Sequence, residues 1–165
     1  MMQRTTPRLL LVLLGCSVLA SGCDTAGVES RPQTAQPSAE SFEKFGNYEL
    51  HFNGIRTDQL TPEIASRYGI ERSTRRILLN VALLHREAAG SAAQPVEATV
   101  SVNTRTLTGQ LKDVGIRRVM EGTSISYIGE VSIASREVLV FVIKATPVGE
   151  SQPFAATFQR EFFSE

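Results

Sequence analysis

Cysteine is nearly absent from this sequence, and its two copies stand close to the N-terminus, at Cys16 and Cys23. Residues 42–165 contain none. This part of the chain can therefore form no disulfide, and it offers neither a cysteine nucleophile nor a thiolate metal ligand.

Histidine and methionine are also scarce. After residue 40 the chain holds only His51, His85 and Met120 of these two residue types. Zinc and copper sites draw their ligands mainly from His, Cys and Met, so this composition predicts no such site. The D-x-D-x-D loop of calcium sites and the glycine-rich loops of phosphate sites are missing as well. We predict no metal and no cofactor.

No catalytic motif stands out in the sequence. The G-x-S-x-G elbow is absent, and no two acidic residues are singled out for glycoside chemistry. A Ser–His–Asp triad is assembled by geometry rather than by chain order, so that alternative stays open at this point. We predict that the protein is not an enzyme, and no catalytic residue is assigned.

Neither sign of charge is in excess, since Lys+Arg and Asp+Glu number 17 each. A general nucleic-acid binder, or a binder of anionic membranes, normally carries a clear positive excess. We therefore expect no nucleic-acid partner.

The N-terminus has the pattern of a bacterial lipoprotein signal. Arg4 and Arg8 precede an uncharged apolar run over residues 9–20, which is shorter than the ~20 residues that a membrane-spanning helix needs. The run ends in Leu-Ala-Ser-Gly before Cys23, which resembles the motif in which the cysteine is acylated. We predict a signal peptide over 1–22 and lipidation at Cys23. The alternative is an ordinary secretory signal that leaves Cys23 as a free thiol.

This signal predicts a periplasmic protein that is anchored to a membrane by lipid. Asp24 directly follows the cysteine, a position that in enteric bacteria often marks retention in the inner membrane. From Asp24 to Glu40 the chain has few large apolar side chains and no periodicity. Such a segment cannot bury enough surface to fold. We predict that residues 23–41 comprise the acylated cysteine and a disordered tether.

Residues 42–165 show alternation of apolar and polar side chains with a period of two. The alternation recurs over residues 48–52, 77–83, 96–102, 114–116, 125–133, 137–143 and 154–162, with turn residues between these segments. Short alternating segments separated by turns are typical of antiparallel sheets. The pattern predicts a mainly β domain, an antiparallel immunoglobulin-like sandwich of about seven strands.

One short helix interrupts the strands. Thr61 has the character of an N-cap, Pro62 stands at the first helical position, and Gly69 ends the segment. These are the usual start and stop signals of a helix. The sequence therefore predicts a helix over residues 62–68 with Ile64 and Tyr68 on its apolar side.

Several short motifs follow one another along residues 42–165. They are Phe-Gly-Asn-Tyr-Glu at 45–49, Leu-Thr-Pro-Glu at 60–63, Tyr-Gly-Ile at 68–70 with Arg-Ser at 72–73, Gly-Gln-Leu at 109–111, Glu-Gly at 121–122, Ser-Tyr-Ile at 126–128 and Phe-Gln at 158–159. Together they resemble one family of exported proteins of Gram-negative bacteria, the domain of unknown function numbered 4426, and the resemblance covers residues 42–165. It implies an exported, immunoglobulin-like β domain, and it implies no reaction, cofactor or catalytic residue.

A group of arginines around the end of the helix is the first candidate binding surface. Arg67, Arg72, Arg75 and Arg76 fall within ten residues of each other. Guanidinium groups recognise carboxylates and phosphates well. The alternative is a solvated turn in which Glu71 offsets part of the charge.

An apolar strand is the second candidate. Residues 137–143 are hydrophobic on both faces, whereas one face of an antiparallel sheet usually meets water. We expect Ile64 and Tyr68 to cover the second face by packing on Leu139, Phe141 or Ile143. The alternative is that Leu139 and Phe141 meet a partner or a lipid surface.

The sequence thus favours a membrane-tethered, extracytoplasmic interaction or structural module, with an envelope protein as its partner. Its oligomeric state stays open. The alternative is a small-ligand carrier or an enzyme with a pocket between helix and sheet. A pocket with convergent polar groups would favour this alternative, and a flat exposed apolar face would favour the interaction module.

Overall fold

The computed structural model describes residues 41–164, which contain ten strands, one α-helix and one turn of 3₁₀-helix. The predicted signal peptide and Cys23 lie outside the described residues. So does the predicted tether, except for Ser41, which begins the first strand. None of the helices within residues 41–164 is long and apolar enough to cross a membrane.

Six strands form the first sheet, which we call sheet 1. They are β1 (Ser41–Phe45), β2 (Tyr48–Arg56), β3 (Arg76–His85), β4 (Gln94–Pro95), β7 (Arg117–Glu121) and β8 (Ser124–Ser132). The order across the sheet is β1-β2-β3-β8-β7, with β4 paired to one end of β3. All of these pairs are antiparallel.

Four strands form sheet 2, in the order β10-β9-β5-β6. They are β5 (Ala98–Thr106), β6 (Leu111–Lys112), β9 (Arg136–Pro147) and β10 (Phe154–Phe163). This sheet is also antiparallel throughout. The predicted mainly β class with antiparallel sheets is therefore confirmed.

The order of the strands has a known counterpart. When β1, β4 and β6 are set aside, sheet 1 runs β2-β3-β8-β7 and sheet 2 runs β10-β9-β5. Lettered A to G in chain order, these strands read A-B-E-D and G-F-C. This is the order of the two sheets in the constant-type immunoglobulin sandwich.

The core lies between the two sheets and follows the predicted alternation. Leu50, Leu79 and Val81 from sheet 1 and Phe141 and Ile143 from sheet 2 have no exposed surface. They belong to one apolar cluster to which both sheets contribute. Burial of these side chains is the main force that holds the two sheets together.

Helix α1 (Pro62–Tyr68) follows a single 3₁₀ turn (Thr57–Gln59), and both lie in the connection between β2 and β3. The helix packs on the outer face of sheet 1, where Ala65 and Ile70 form a second buried cluster with Leu78 of β3 and Ile128 of β8. The chain leaves and re-enters sheet 1 at neighbouring strands, which keeps the helix over this sheet.

This position corrects the expectation that Ile64 and Tyr68 would pack on Leu139, Phe141 or Ile143. Those three side chains have no exposed surface, because they point inward and are covered by sheet 1. The second apolar face that the helix covers belongs instead to β3 and β8.

Candidate functional site

Helix α1 is short and is fixed at both ends by its own sequence. The Thr61 hydroxyl accepts a hydrogen bond of 3.3 Å from the backbone N–H of Ile64. At the other end Gly69 takes a left-handed conformation (φ 63°), and the N–H of Ile70 reaches the carbonyl of Ala65 at 2.8 Å. Such caps satisfy groups that a two-turn helix would otherwise leave unpaired.

A cavity of about 280 Å³ opens between α1 and the outer face of sheet 1, and we call it the α1 cleft. Its walls come from β2, β3, β7, β8, α1 and the segments that flank α1. The lining residues are Asn53, Ile55, Leu60, Ile64, Tyr68, Ile70, Leu78, Asn80, Val119, Glu121, Ser124, Ser126 and Ile128.

Apolar side chains make up the larger part of this lining. Leu78 and Ile128 are buried at its base, and Ile70 is buried beside the helix. Val119 of β7 and Ile55 of β2 are partly buried and pack against the same cluster. An apolar concavity of this kind is the usual form of a small-molecule site.

Asn80 is the most unusual polar group of the cleft. Its carboxamide oxygen Oδ1 is buried and has no hydrogen-bond partner within the described part of the chain. Asn53 stands directly opposite it on β2. The Asn53 Oδ1 atom accepts a hydrogen bond of 3.1 Å from Nη1 of Arg160, which reaches across from β10.

Three polar side chains join helix and edge strand beside the cleft. The Tyr68 hydroxyl donates a 2.7 Å hydrogen bond to Oε2 of Glu121, and Arg67 Nη1 donates one of 2.7 Å to Oε1. The Tyr68 bond and the charge of Arg67 lower the pKa of the Glu121 carboxyl. The same bond raises the pKa of Tyr68, because ionised Tyr68 would face a carboxylate.

The four arginines of the first candidate surface have different partners. Arg67 binds Glu121, and Arg72 Nη2 donates a 2.8 Å hydrogen bond to the backbone carbonyl of Asp58. Arg76 pairs with Glu71 at 3.1 Å and with Glu130 at 3.4 Å. Arg75 is exposed. Three of the four guanidinium groups therefore link elements of this fold.

The apolar residues of the second candidate surface are not on a surface. Leu139 and Phe141 each have 0% of their area exposed. Alternation along β9 turns both side chains into the core, where the Phe141 ring also stacks on Phe158 of β10. The expectation that they form a docking face is corrected here.

The histidines stand apart from the α1 cleft. His51 Nε2 lies 3.3 Å from Oε2 of Glu49, and the ring stacks on Phe42. His85 packs against the ring of Tyr48 at the far end of β3. Between residues 41 and 164, no three His, Cys, Asp or Glu side chains come together as a group that could hold a metal ion.

Sequence reasoning missed Asn80 and Glu121. One signal was available for Asn80, because it lies on the outward row of β3 beside the buried Leu78 and the half-buried Ala82. A polar side chain within an apolar row breaks the local pattern, and such breaks are expected at functional positions. Glu121 carried no such signal, since it stands at an ordinary hairpin turn.

Solved structures share this fold. A structure of a DUF4426 family protein from Pseudomonas aeruginosa PAO1 is 31% identical to the chain, with a TM-score of 0.64, and the match covers 75% of this chain and 94% of that one. No curated protein matches the chain.

Two further structures are of FetP from uropathogenic Escherichia coli strain F11. The as-isolated protein is 11% identical with a TM-score of 0.55, and the match covers 76% of this chain and 94% of that one. A copper-bound variant of FetP is 9% identical with a TM-score of 0.53, covering 74% and 93%. At these identities only the fold is shared.

The profile of one family matches the entire sandwich. It covers residues 42–165 and is described as a domain of unknown function, DUF4426. This is the family that the short motifs of the sequence indicate. The chain belongs to the DUF4426 family.

Proposed function

We propose that this domain is an extracytoplasmic binding module that takes a small, mostly apolar molecule in the α1 cleft. The observation that carries the proposal is the cavity of about 280 Å³ left between the helix and the sheet. A helix that served only to cover an apolar face would pack flat on it, because unfilled apolar space reduces stability.

The interaction-module hypothesis receives less support from the geometry. On its apolar candidate surface, Leu139 and Phe141 are fully buried. Most of the arginines are engaged with carboxylates or a carbonyl of the same chain. A pocket with several polar groups pointing into it is the feature expected of a ligand carrier.

We propose further that the domain binds without catalysing a reaction. Ser124 and Ser126 are hydroxyl groups in the lining, but among the lining residues no histidine or lysine stands ready to activate them. Glu121 is a poor general base, because its carboxyl has a lowered pKa and accepts two hydrogen bonds.

The proposed location is the periplasm, with the domain held to a membrane through an acylated Cys23. Asp24 favours the inner membrane. The copper of the FetP variant predicts no copper site in this chain, because the two proteins share only the fold at 9% identity. An envelope protein that delivers or receives the ligand is the proposed partner.

The experiment is a titration with N-phenyl-1-naphthylamine, an apolar probe whose fluorescence rises in apolar surroundings. We expect the wild-type domain to bind it and Val119→Phe to abolish binding, because Val119 lines the cleft. Met120→Phe is the matched control. It makes the same change one residue along β7 at a side chain that is 56% exposed and outside the lining.

A second cleft variant guards against misfolding of the first. Ser124→Phe should narrow the cleft from an exposed position at its rim, where we expect a larger side chain to fit without disturbing the core. Circular dichroism establishes that each variant is folded. The proposal is abandoned if the wild type does not bind the probe, or if folded cleft variants bind it as well as Met120→Phe does.

A further inference from the structure

Asn80 lines the α1 cleft and carries a hydrogen-bond acceptor that the protein itself does not use. Its Oδ1 atom is buried against neighbouring atoms of the wall and accepts no hydrogen bond within the described residues. Asn80 lies in the middle of β3, between Asn53 of β2 and Ile128 of β8. The great majority of buried polar atoms in proteins have a partner. An unpaired acceptor on a residue that lines a cavity is therefore a group that a ligand can satisfy when the carboxamide turns toward the cavity.

Two donors beside the cleft are used within the protein. The Tyr68 hydroxyl donates its hydrogen bond to Glu121. Arg160 Nη1 donates to Asn53 Oδ1 at 3.1 Å and to the Gly54 carbonyl at 2.7 Å, on the edge of β2. These two donors are therefore engaged elsewhere. The Ser124 and Ser126 hydroxyls of the lining make no hydrogen bond to Asn80 Oδ1 either, so this acceptor is left for a molecule in the cavity.

We propose that the ligand of the α1 cleft is a small, neutral, mostly apolar molecule with at least one N–H or O–H group, which donates a hydrogen bond to Asn80 Oδ1. This inference rests on the proposed function of the cleft. The apolar body of the ligand would contact Ile55, Leu78 and Ile128, and its donor would point toward β3.

The charges around the cleft favour a neutral ligand. Glu121 is the lining residue that carries a charge at neutral pH, and its carboxylate is already paired with Arg67. An anionic ligand would leave water for an apolar wall in which no lining residue is a cation, which is unfavourable. A cation placed at Asn80 would be buried in an apolar wall with an amide oxygen instead of a counter-charge, which is unfavourable.

The size of the cavity limits the ligand as well. At about 280 Å³ it is just below the ~300–1,000 Å³ of sites for drug-sized molecules. A molecule of one to three rings, or a short branched chain, matches this volume. A long acyl chain does not.

The test compares two probes of equal shape, indole and benzofuran, by isothermal titration calorimetry. Indole has an N–H donor where benzofuran has an oxygen. We expect the wild-type domain to bind indole about tenfold more tightly, the range of a single buried hydrogen bond. In Asn80→Leu the preference should vanish. Asn103→Leu, at an exposed position of sheet 2, should keep it.

A nuclear magnetic resonance measurement locates the contact. Indole should shift the side-chain amide resonances of Asn80 in the wild type, and benzofuran should shift them much less. The preference measured on the wild type decides the question even if Asn80→Leu does not fold. Indole-3-carboxylate, which keeps the donor and adds a negative charge, should bind at least about tenfold more weakly than indole, because its charge would be buried without a counter-charge.

The outcomes separate this inference from the function on which it rests. If indole and benzofuran bind equally to the wild type, or if the charged analogue binds as tightly as indole, the ligand class is wrong. If neither binds while N-phenyl-1-naphthylamine still occupies the cleft, the ligand class is again wrong and the binding function stands. If no probe enters the cleft, both fail.

Discussion

The Tyr68 hydroxyl lies 2.7 Å from Oε2 of Glu121 and donates a hydrogen bond to it, joining the last residue of α1 to the last residue of β7. Arg67 binds the other carboxylate oxygen at 2.7 Å. Arg117, also on β7, donates to the backbone carbonyl of Tyr68. We call Arg67, Tyr68 and Glu121 the α1–β7 clasp. It holds the end of the helix to sheet 1 beside the α1 cleft.

The clasp predicts a pH dependence at acid pH. The pKa of Glu121 is lowered in the folded state by the Tyr68 hydrogen bond and by Arg67. The stabilisation from this carboxylate is therefore present above the ordinary pKa of glutamate, about 4.3, and is lost as pH falls through the lowered value. Below about pH 4 we expect the unfolding free energy of Glu121→Gln to fall less steeply than that of the wild type, because the variant has no carboxylate to protonate at this position.

Urea denaturation at a series of pH values measures this difference. Glu150→Gln, an exposed change in the loop before β10, is the control and should follow the wild-type curve. Glu49 and Glu63 also have lowered pKa values, so the wild type keeps some acid dependence in every variant. Identical curves for wild type and Glu121→Gln would show that the clasp does not stabilise the fold.

A second prediction concerns the link between the two sheets at Tyr127. Its hydroxyl on β8 accepts a 2.7 Å hydrogen bond from the backbone N–H of Ala98, the first residue of β5. Tyr127 is only 5% exposed. Tyr127→Phe leaves this N–H without its partner, and we expect a loss of about 1–3 kcal/mol in unfolding free energy.

Thermal and urea denaturation measure that loss. Tyr48→Phe is the matched change, because the Tyr48 ring keeps its contacts with His85 and Phe154. It should alter the unfolding free energy by no more than about 0.5 kcal/mol. Equal effects of the two substitutions would contradict the role given to the Tyr127 hydroxyl.

The period-two pattern was sufficient to predict the class of fold. Alternation along Leu50, Leu79 and Phe141 identifies the inward faces, and the structure buries all three completely. Pattern alone does not say which sheet lies over which face. Residues 137–143 are apolar on both sides, and one of those sides is covered by the opposing sheet rather than by α1.

The site could not be predicted in the same way. The caps at Thr61 and Gly69 were sufficient to predict the helix, but the cleft depends on where that helix lies. Asn80 and Glu121 are far apart in the chain, and they line one cavity because β3, β8 and β7 are neighbours in sheet 1. Long-range strand pairing of this kind is not encoded in any local motif.

A third prediction concerns the membrane anchor, on residues outside the described part of the chain. If Cys23 is acylated, the protein should partition into detergent and take up a fatty-acid analogue, because acyl chains hold a protein at a membrane. Cys23→Ser should stop both the labelling and the processing of the signal. Cys16→Ser, the control, should change neither. Unaltered membrane association of Cys23→Ser would rule out the lipoprotein anchor.

The last prediction concerns the close approach of the 113–116 segment to β8. A Cβ atom added at Gly129 would lie 2.6 Å from Ile116 Cδ1, 2.7 Å from Val114 Cγ1 and 3.0 Å from the carbonyl oxygen of Gly115. These distances are shorter than normal van der Waals contact. We expect Gly129→Ala to lower the unfolding free energy by about 1–3 kcal/mol, because the segment must move away from the sheet.

Gly115→Ala is the control for this change, since a Cβ at Gly115 meets no atom within 4 Å. It lies in the same segment and should leave stability close to that of the wild type. Urea denaturation of the two variants measures the difference. Because Gly129 lies on the core side of β8, opposite Ile128 and the α1 cleft, Gly129→Ala should lower stability without changing the affinity for N-phenyl-1-naphthylamine. A loss of affinity equal to that of Val119→Phe would mean that the segment and the cleft are coupled through β8.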